Sequence, residues 1–439
     1  FGRLTYDYDN RYLVEANIRR DGTSRIFKDS RWGVFPSFSG AWRIINEPFM
    51  EGTRNVLSDL KLRGGWGVLG NQAISYYSYQ SVLDQANYSF GGTVVQGVAP
   101  VDGANRDLIW ETTETLNFGL DMGFLGNQYT LSIEGYRKLT YDILMKLPVS
   151  TLYGLNAPYQ NAGKVKNTGL EITAGYKLNT HGWNFQVSAN AAYNKNEVMD
   201  LKNGGARIWS GKYFNQEGYA INSIGGYIAE GLFKTEEEVA NSATIPGTDT
   251  APGDIKYRDI NNDGKIDGED RVYIGNTMPK WTFGLNLFAE WKGLDATFLF
   301  QGAADVQGYL AGPGVVGEMI GAKGKPSYMY RDCWDAETNP NGKFPRAFSS
   351  YRQNNSIYNP SSFWIVNSSY LRLKNFQLGY TLPKEWCNMM GISRIRVYYS
   401  GQNLLTFTKF DKGFDPESPE GGSSYPQVKT NTFGLNITF

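Results

Sequence analysis

The chain has 439 residues, in which 43 Lys and Arg balance 43 Asp and Glu, with one histidine and two cysteines. Equal charge leaves no net field to favour nucleic acid or an anionic surface. A lone His181 rules out a histidine-rich zinc site, and a mean hydropathy of −0.43 with no long apolar run rules out a transmembrane helix but not strands that cross a bilayer, since half of each such strand is polar.

Taken in chain order, strand-like alternation covers residues 2–9, 12–18, 32–44, 59–69, 112–124, 129–146, 168–178 and 182–194. It resumes at 221–233, 281–291, 294–302, 370–382, 395–406 and 429–439. In 115–124, Leu116, Phe118, Leu120, Met122 and Phe124 share one face, and Thr115, Asn117, Gly119, Asp121 and Gly123 share the other. The second strand of 182–194 opposes Trp183, Phe185, Val187, Ala189 and Ala191 to Asn184, Gln186, Ser188 and Asn190. The chain closes on Phe433, Leu435, Ile437 and Phe439. Runs of about ten residues match a tilted strand crossing a bilayer core. Tight turns at 125–127 and 178–182 suit an antiparallel meander, while longer polar loops are expected at 75–107, 203–218, 234–278 and 306–367.

A soluble β-sandwich also alternates, but at this length it would split into domains with visible linkers. Here the pattern runs on without a compositional break, and Trp183, Trp281, Trp291 and Tyr129 sit at strand ends, as interfacial girdles do. Glycines lie within strands as well as turns, which suits a curved wall with small inward-facing residues. The expected fold is therefore all-β, a transmembrane antiparallel β-barrel.

Local motifs add less. Gly65-Trp-Gly67-Val-Leu-Gly70 matches GxGxxG, yet no helix is expected after it, so it reads as small residues on a strand face rather than a dinucleotide fingerprint. In the 203–218 loop, Trp209, Tyr213 and Phe214, with Tyr219 and the amides of Asn203, Asn215 and Gln216, form a candidate substrate-binding surface. Equally, such a loop packs on its own aromatics.

Asp259, Asn261, Asp263, Asp267 and Asp270 place oxygen ligands at loop positions 1, 3, 5, 9 and 12, Gly264 permits the bend at 6, and Lys265 offers a backbone carbonyl at 7. That spacing points to a structural Ca²⁺. Asp270 stands where Glu is usual, which shortens the bidentate reach, and the plainer alternative is an acidic surface turn. Cys333 and Cys387 match no metal or redox spacing and are free or paired. His181 falls in a short strand connection with no partner in its context, so no catalytic role is expected of it.

Several blocks resemble one family: Tyr8-Asp-Asn-Arg-Tyr-Leu13, Phe35-Pro-Ser37 with Ala41-Trp-Arg43, Leu60-Lys-Leu-Arg63 leading to Gly70-Asn-Gln72, Pro252-Gly-Asp-Ile255, Ile274-Gly-Asn276, Ser369-Tyr-Leu-Arg-Leu-Lys-Asn375, Gly379-Tyr-Thr-Leu-Pro383 and Gly401-Gln-Asn-Leu404. In this order they resemble the SusC/RagA-type TonB-dependent transporters of Bacteroidota outer membranes. The resemblance implies a plugged barrel of about 22 strands, of which residues 1–439 would supply roughly the C-terminal fourteen, with a calcium-loop-like insertion at 254–272. It also implies a multi-pass outer-membrane location in contact with lipid, a SusD-like surface lipoprotein as partner, and import of glycans or peptides driven through the TonB complex. The plug and TonB box would lie in an N-terminal region outside this sequence. Asn117, Asp121, Gln186 and Asn190 would face the lumen. A passive porin is the alternative function. A surface enzyme would need a catalytic constellation built on His181.

Overall fold

The computed structural model describes residues 1–310, 331–347, 359–410, 414–418, 425 and 427–439, and part of the expected 306–367 loop therefore lies outside the described residues. The chain divides into two compact units.

In the first unit, the strands Gly2–Tyr8, Tyr12–Gly22, Trp32–Arg43, Leu57–Asn71, Glu111–Phe124 and Tyr129–Tyr141 pair in sequence order, each antiparallel to the next. The register puts the apolar positions of neighbouring strands side by side. Tyr6 faces Val14, Val14 faces Gly40, Ala16 faces Phe38, Phe38 faces Trp66 and Trp66 faces Leu116. Leu4, Tyr6, Val14, Ile18, Phe38, Leu62 and Phe118 on this face are all exposed. A continuous apolar surface of that size is a liability in water and the normal exterior of a wall in lipid.

In the second unit, Trp281–Trp291, Leu294–Ala304, Tyr370–Thr381, Arg394–Thr408 and Thr430–Thr438 form a second antiparallel run. The hairpin strands Lys164–Thr180 and Trp183–Asp200 contribute residues to both units. Tight turns join several strands: Asp9 and Asn10 in a three-residue turn, and His181-Gly182 and Lys292-Gly293 in two-residue turns, all hold positive φ, the geometry that matches strand twist.

Most buried residues collect in the long connections and at the strand ends that adjoin them. One cluster in the second unit gathers Ile224, Tyr257, Ile266, Tyr309, Trp334 and Trp364, and two smaller ones in the first centre on Leu108 and on Val198.

Three expected boundaries change. Residues 221–233 are not a wall strand: Ser223–Gly226 and Ala229–Leu232 are short strands of two small sheets, with Ile224 and Phe233 buried, because their apolar residues pack into the loop core. The expected 129–146 strand ends at Tyr141; Asp142 turns the chain with φ 54°, and Leu144–Lys146 pairs with Tyr159–Asn161 instead. The 75–107 loop contains a hairpin, Leu83–Phe90 with Thr93–Pro100, exposed on both faces.

Candidate functional site

The second face of the first unit is polar and charged. Alternation from Lys61 and Arg63 through Asn117 and Asp121 to Ser132 and Glu134 brings these side chains onto it. Arg63 donates its Nε–H to Asp121 Oδ2 at 3.1 Å and pairs with Glu134. Lys61 stands 3.6 Å from Asp121, Ser132 donates to Asp121 at 2.7 Å, and Asn117 donates to Glu134 at 2.9 Å. Each carboxylate thus meets a cation and a neutral donor, the pattern that makes a half-buried charge tolerable.

The reach of Arg63 depends on a glycine. Gly119 lies between Arg63 and Glu134 in the register, and a Cβ there would stand 2.6 Å from the Arg63 Cζ. The second unit repeats the device. Arg396 crosses Gly379, where a Cβ would be 2.4 Å from its guanidinium, to reach Asp295 with two hydrogen bonds of 2.9 and 2.5 Å, and donates to Gln377 at 3.0 Å. A cavity of about 550 Å³ opens on the polar face of the first unit, bordered by Asp7, Glu15, Lys61, Arg63 and Asn117.

At the long-loop end of the second unit, the register of Tyr370–Thr381 slips at Lys374. Arg372 donates to Asp415 at 2.8 Å, and Lys374 stands 2.8 Å from Glu417, tying the 414–418 segment to the wall. Asp415 is nearly buried; desolvation works against its ionisation, but Arg372 and the backbone N–H of Glu417 hold its carboxyl below the usual range. Deeper in the loop core, burial pushes the Tyr257 and Tyr309 phenols well up, so both stay neutral. Arg346 clasps the fully buried Asp254 through two hydrogen bonds of 3.0 and 3.1 Å.

The aromatic candidates separate by exposure. Phe214 is fully buried, Tyr213 packs against the loop core, and Trp209 remains 36% exposed. The Arg271 guanidinium sits 3.9 Å above the Trp209 ring. Beneath, Gly225 leaves room for both Trp209 and Phe214, since a Cβ there would come within 2.6 and 2.8 Å of their rings. Trp209 is the most exposed of the three, with Tyr213 partly buried.

The acidic loop folds on its own amides. Asp259 accepts from Asn262 and Gly264 N–H at 2.7 and 2.8 Å, and Asp263 from Lys265 N–H at 3.1 Å. Buried Asp270 accepts from Ile260 and Asp267 N–H, both at 2.8 Å. The Lys265 ammonium lies 3.5 Å from Asp263 and 3.0 Å from Asp267. The Glu269 N–H, then Lys265, hold the Asp267 carboxyl below its ordinary range. Asn261 donates to Asp263 at 3.2 Å. Among the described residues no group of three or more acidic, His or Cys side chains converges as a metal site in this arrangement.

The remaining expectations fall as follows. Asn117 and Asp121 lie in the charged network above. Asn190 Oδ1 would be 2.5 Å from a Cβ on Gly284, and Gln186 donates to Asn184 at 3.3 Å. Gly65, Gly67 and Gly70 lie within Leu57–Asn71, a strand. His181 is exposed in its turn, bonded to Thr180 at 2.7 Å. Cys333 and Cys387 are both buried and form no disulfide. The two Arg–Gly–acid crossings went unread in the sequence; each joins three strands, and only the pairing register brings the members together.

A model of the TonB-dependent receptor-like β-barrel family matches residues 1–404. The chain is 32% identical to the TonB-dependent receptor SusC of Bacteroides thetaiotaomicron, over all of this chain and 43% of that protein. It is 31% identical to the TonB-dependent receptor P3 of Formosa agariphila, over all of this chain and 45% of that one. Among solved structures, the RagAB peptide transporter aligns with a TM-score of 0.81 at 28% identity, over all of this chain and 47% of its own. The chain thus spans about half the length of the relatives it matches.

Proposed function

Because the chain belongs to the TonB-dependent receptor-like β-barrel family, we propose that it forms barrel wall of an outer-membrane importer of nutrient oligomers, glycans or peptides. In this reading import is energised through TonB, and a SusD-like surface lipoprotein caps the barrel. The observation that carries the proposal is the agreement along the entire chain with SusC and with the RagAB peptide transporter. The two faces of the strands support it: one exposed and apolar for lipid, the other lined with paired charges for a wet lumen. In this reading work is done by binding and movement rather than bond chemistry, in keeping with the receptor family to which the chain belongs.

The test is uptake by cells carrying the full-length protein, on defined glycans and on peptides. Import of one class that disappears when TonB is deleted supports the reading. Import that persists without TonB supports a passive pore instead. Co-purification with a surface lipoprotein, lost when the long outer loops are shortened, tests the lid.

The 259–270 loop is proposed to take Ca²⁺ as a structural ion. Its support is the ligand spacing together with the oxygen-rich turn that Asp259, Asp263 and Asp270 build around Gly264. Binding there requires Lys265 to release Asp263 and Asp267. Calorimetry on the folded full-length protein that detects no calcium binding rejects this part.

A further inference from the structure

The connection after Tyr370–Thr381 is built rather than slack. It carries the helix Lys384–Met389, which Pro383 precedes and which ends in a Schellman motif. Gly391, at φ 68°, donates to Asn388 O, and Ile392 donates to Cys387 O, both at 3.0 Å. Cys387 is buried on one side of this helix. Trp386, Met389 and Met390 follow the i, i+3, i+4 spacing of a single helical face and are 54%, 80% and 52% exposed. Lys384, Glu385 and Asn388 complete the exposed surface.

This face stands at the short-turn end of the second unit, where apolar and aromatic residues already gather. Trp183 and Trp291 stack at 5.3 Å and 16°, and Leu294 and Tyr380, paired across strands and both exposed, lie on the apolar stripe with Val397. Short turns mark the periplasmic end of such walls. Three large apolar side chains on a rigid turn, at the same end of the wall as this exposed apolar stripe, match the chemistry of the headgroup–acyl boundary, with Lys384 available to phosphates.

We infer that the Lys384–Met389 helix is an interfacial anchor that inserts Trp386, Met389 and Met390 into the periplasmic leaflet of the outer membrane. The inference rests on the membrane reading of the wall. It is tested in the full-length protein reconstituted in phosphatidylethanolamine–phosphatidylglycerol vesicles, with an environment-sensitive fluorophore on Met389→Cys, and on Trp386→Cys as a second position. Parent protein carried through the same labelling controls for reaction at native cysteines, including the buried Cys333 and Cys387. The expected result is strong quenching by lipid-borne nitroxides near the headgroups, about fivefold stronger than for Asn388→Cys on the polar side, and weak quenching by iodide. Strong iodide quenching, or shielding from lipid and iodide alike, overturns the anchor, the second outcome meaning that protein covers this face. Leu435→Cys, on an exposed apolar position of the wall strand Thr430–Thr438, separates the two readings: lipid quenching there but not at Met389 removes the anchor and leaves the membrane wall standing.

Discussion

The guanidinium of Arg63 lies over Gly119 so closely that a Cβ on that glycine would stand 2.6 Å from its Cζ. Gly119→Ala is therefore expected to push Arg63 off Glu134 and Asp121 and to destabilise the wall by about 1–3 kcal/mol. Gly135 is the control, because a Cβ there meets nothing within 4 Å; Gly135→Ala should fall within about 0.5 kcal/mol of the parent. Denaturant unfolding of the two variants in lipid checks the contrast, and equal midpoints would remove the crossing as a stabilising feature.

The crossing in the second unit is more enclosed, with Arg396 and Asp295 side chains 13% and 12% exposed. Removing only the cation strands a shielded carboxylate. Arg396→Met should cost about 3 kcal/mol, whereas Arg396→Met with Asp295→Asn together should cost clearly less than the sum of the two single changes. Arg396→Lys should rescue little, since a single ammonium does not reproduce the paired hydrogen bonds to Asp295 and the third to Gln377. An additive double-mutant cycle would show the pair to be uncoupled.

These crossings mark where sequence reading stops. Alternation places Asn117 and Asp121 on the polar face, and the register agrees, because side-chain direction in a strand follows from position alone. Partnership does not. Arg63, Gly119 and Glu134 meet only once three strands have been paired, and nothing local announces it. The same limit explains residues 221–233: Ile224 and Leu232 look like wall residues, but the loop core formed with Tyr257, Tyr309 and Trp364 claims that segment. Likewise aromatic composition could not separate Phe214, which is core, from Trp209, which stays partly exposed beneath the Arg271 guanidinium.

That separation gives a direct comparison. Phe214→Ala empties a fully buried site and should destabilise the loop core by about 3–5 kcal/mol. Trp209→Ala removes a partly exposed ring and should leave the unfolding midpoint nearly unchanged while, under the proposed import function, weakening capture of the oligomer. Glycan and peptide binding measured on the purified full-length protein checks this. Unchanged binding in Trp209→Ala would take this aromatic out of the recognition surface.

Asp415 links loop and wall in a pH-dependent way. Its folded carboxyl is held below the ordinary range: desolvation opposes this but is outweighed by Arg372 and by the backbone N–H groups of Glu417 and Gln427. A depressed carboxylate contributes stability that is present above its unfolded pKa, about 3.9, and lost as pH falls through the lower folded value. The 414–418 segment should therefore stay protected from hydrogen exchange at neutral pH and lose protection only below about pH 4. Asp415→Asn should show reduced protection at neutral pH and a flatter response to acid. A loop that opens between pH 5 and 7 in the parent protein would require another titrating group.

The acidic loop offers a test in which the sign of the effect decides. Position 7 of a calcium loop contributes only its backbone carbonyl, so the side chain of Lys265 is free to vary, yet its ammonium occupies the space between Asp263 and Asp267. Replacing it should relieve competition with the ion. Lys265→Met is expected to tighten calcium binding by roughly fivefold, the scale of one partly screened charge interaction, while Asp263→Ala should abolish it. An acidic turn that merely holds itself together predicts the reverse for Lys265, because the methionine variant would leave Asp263 and Asp267 repelling each other and loosen the loop without any gain in affinity. Calorimetry and loop hydrogen exchange, with and without calcium, distinguish the two.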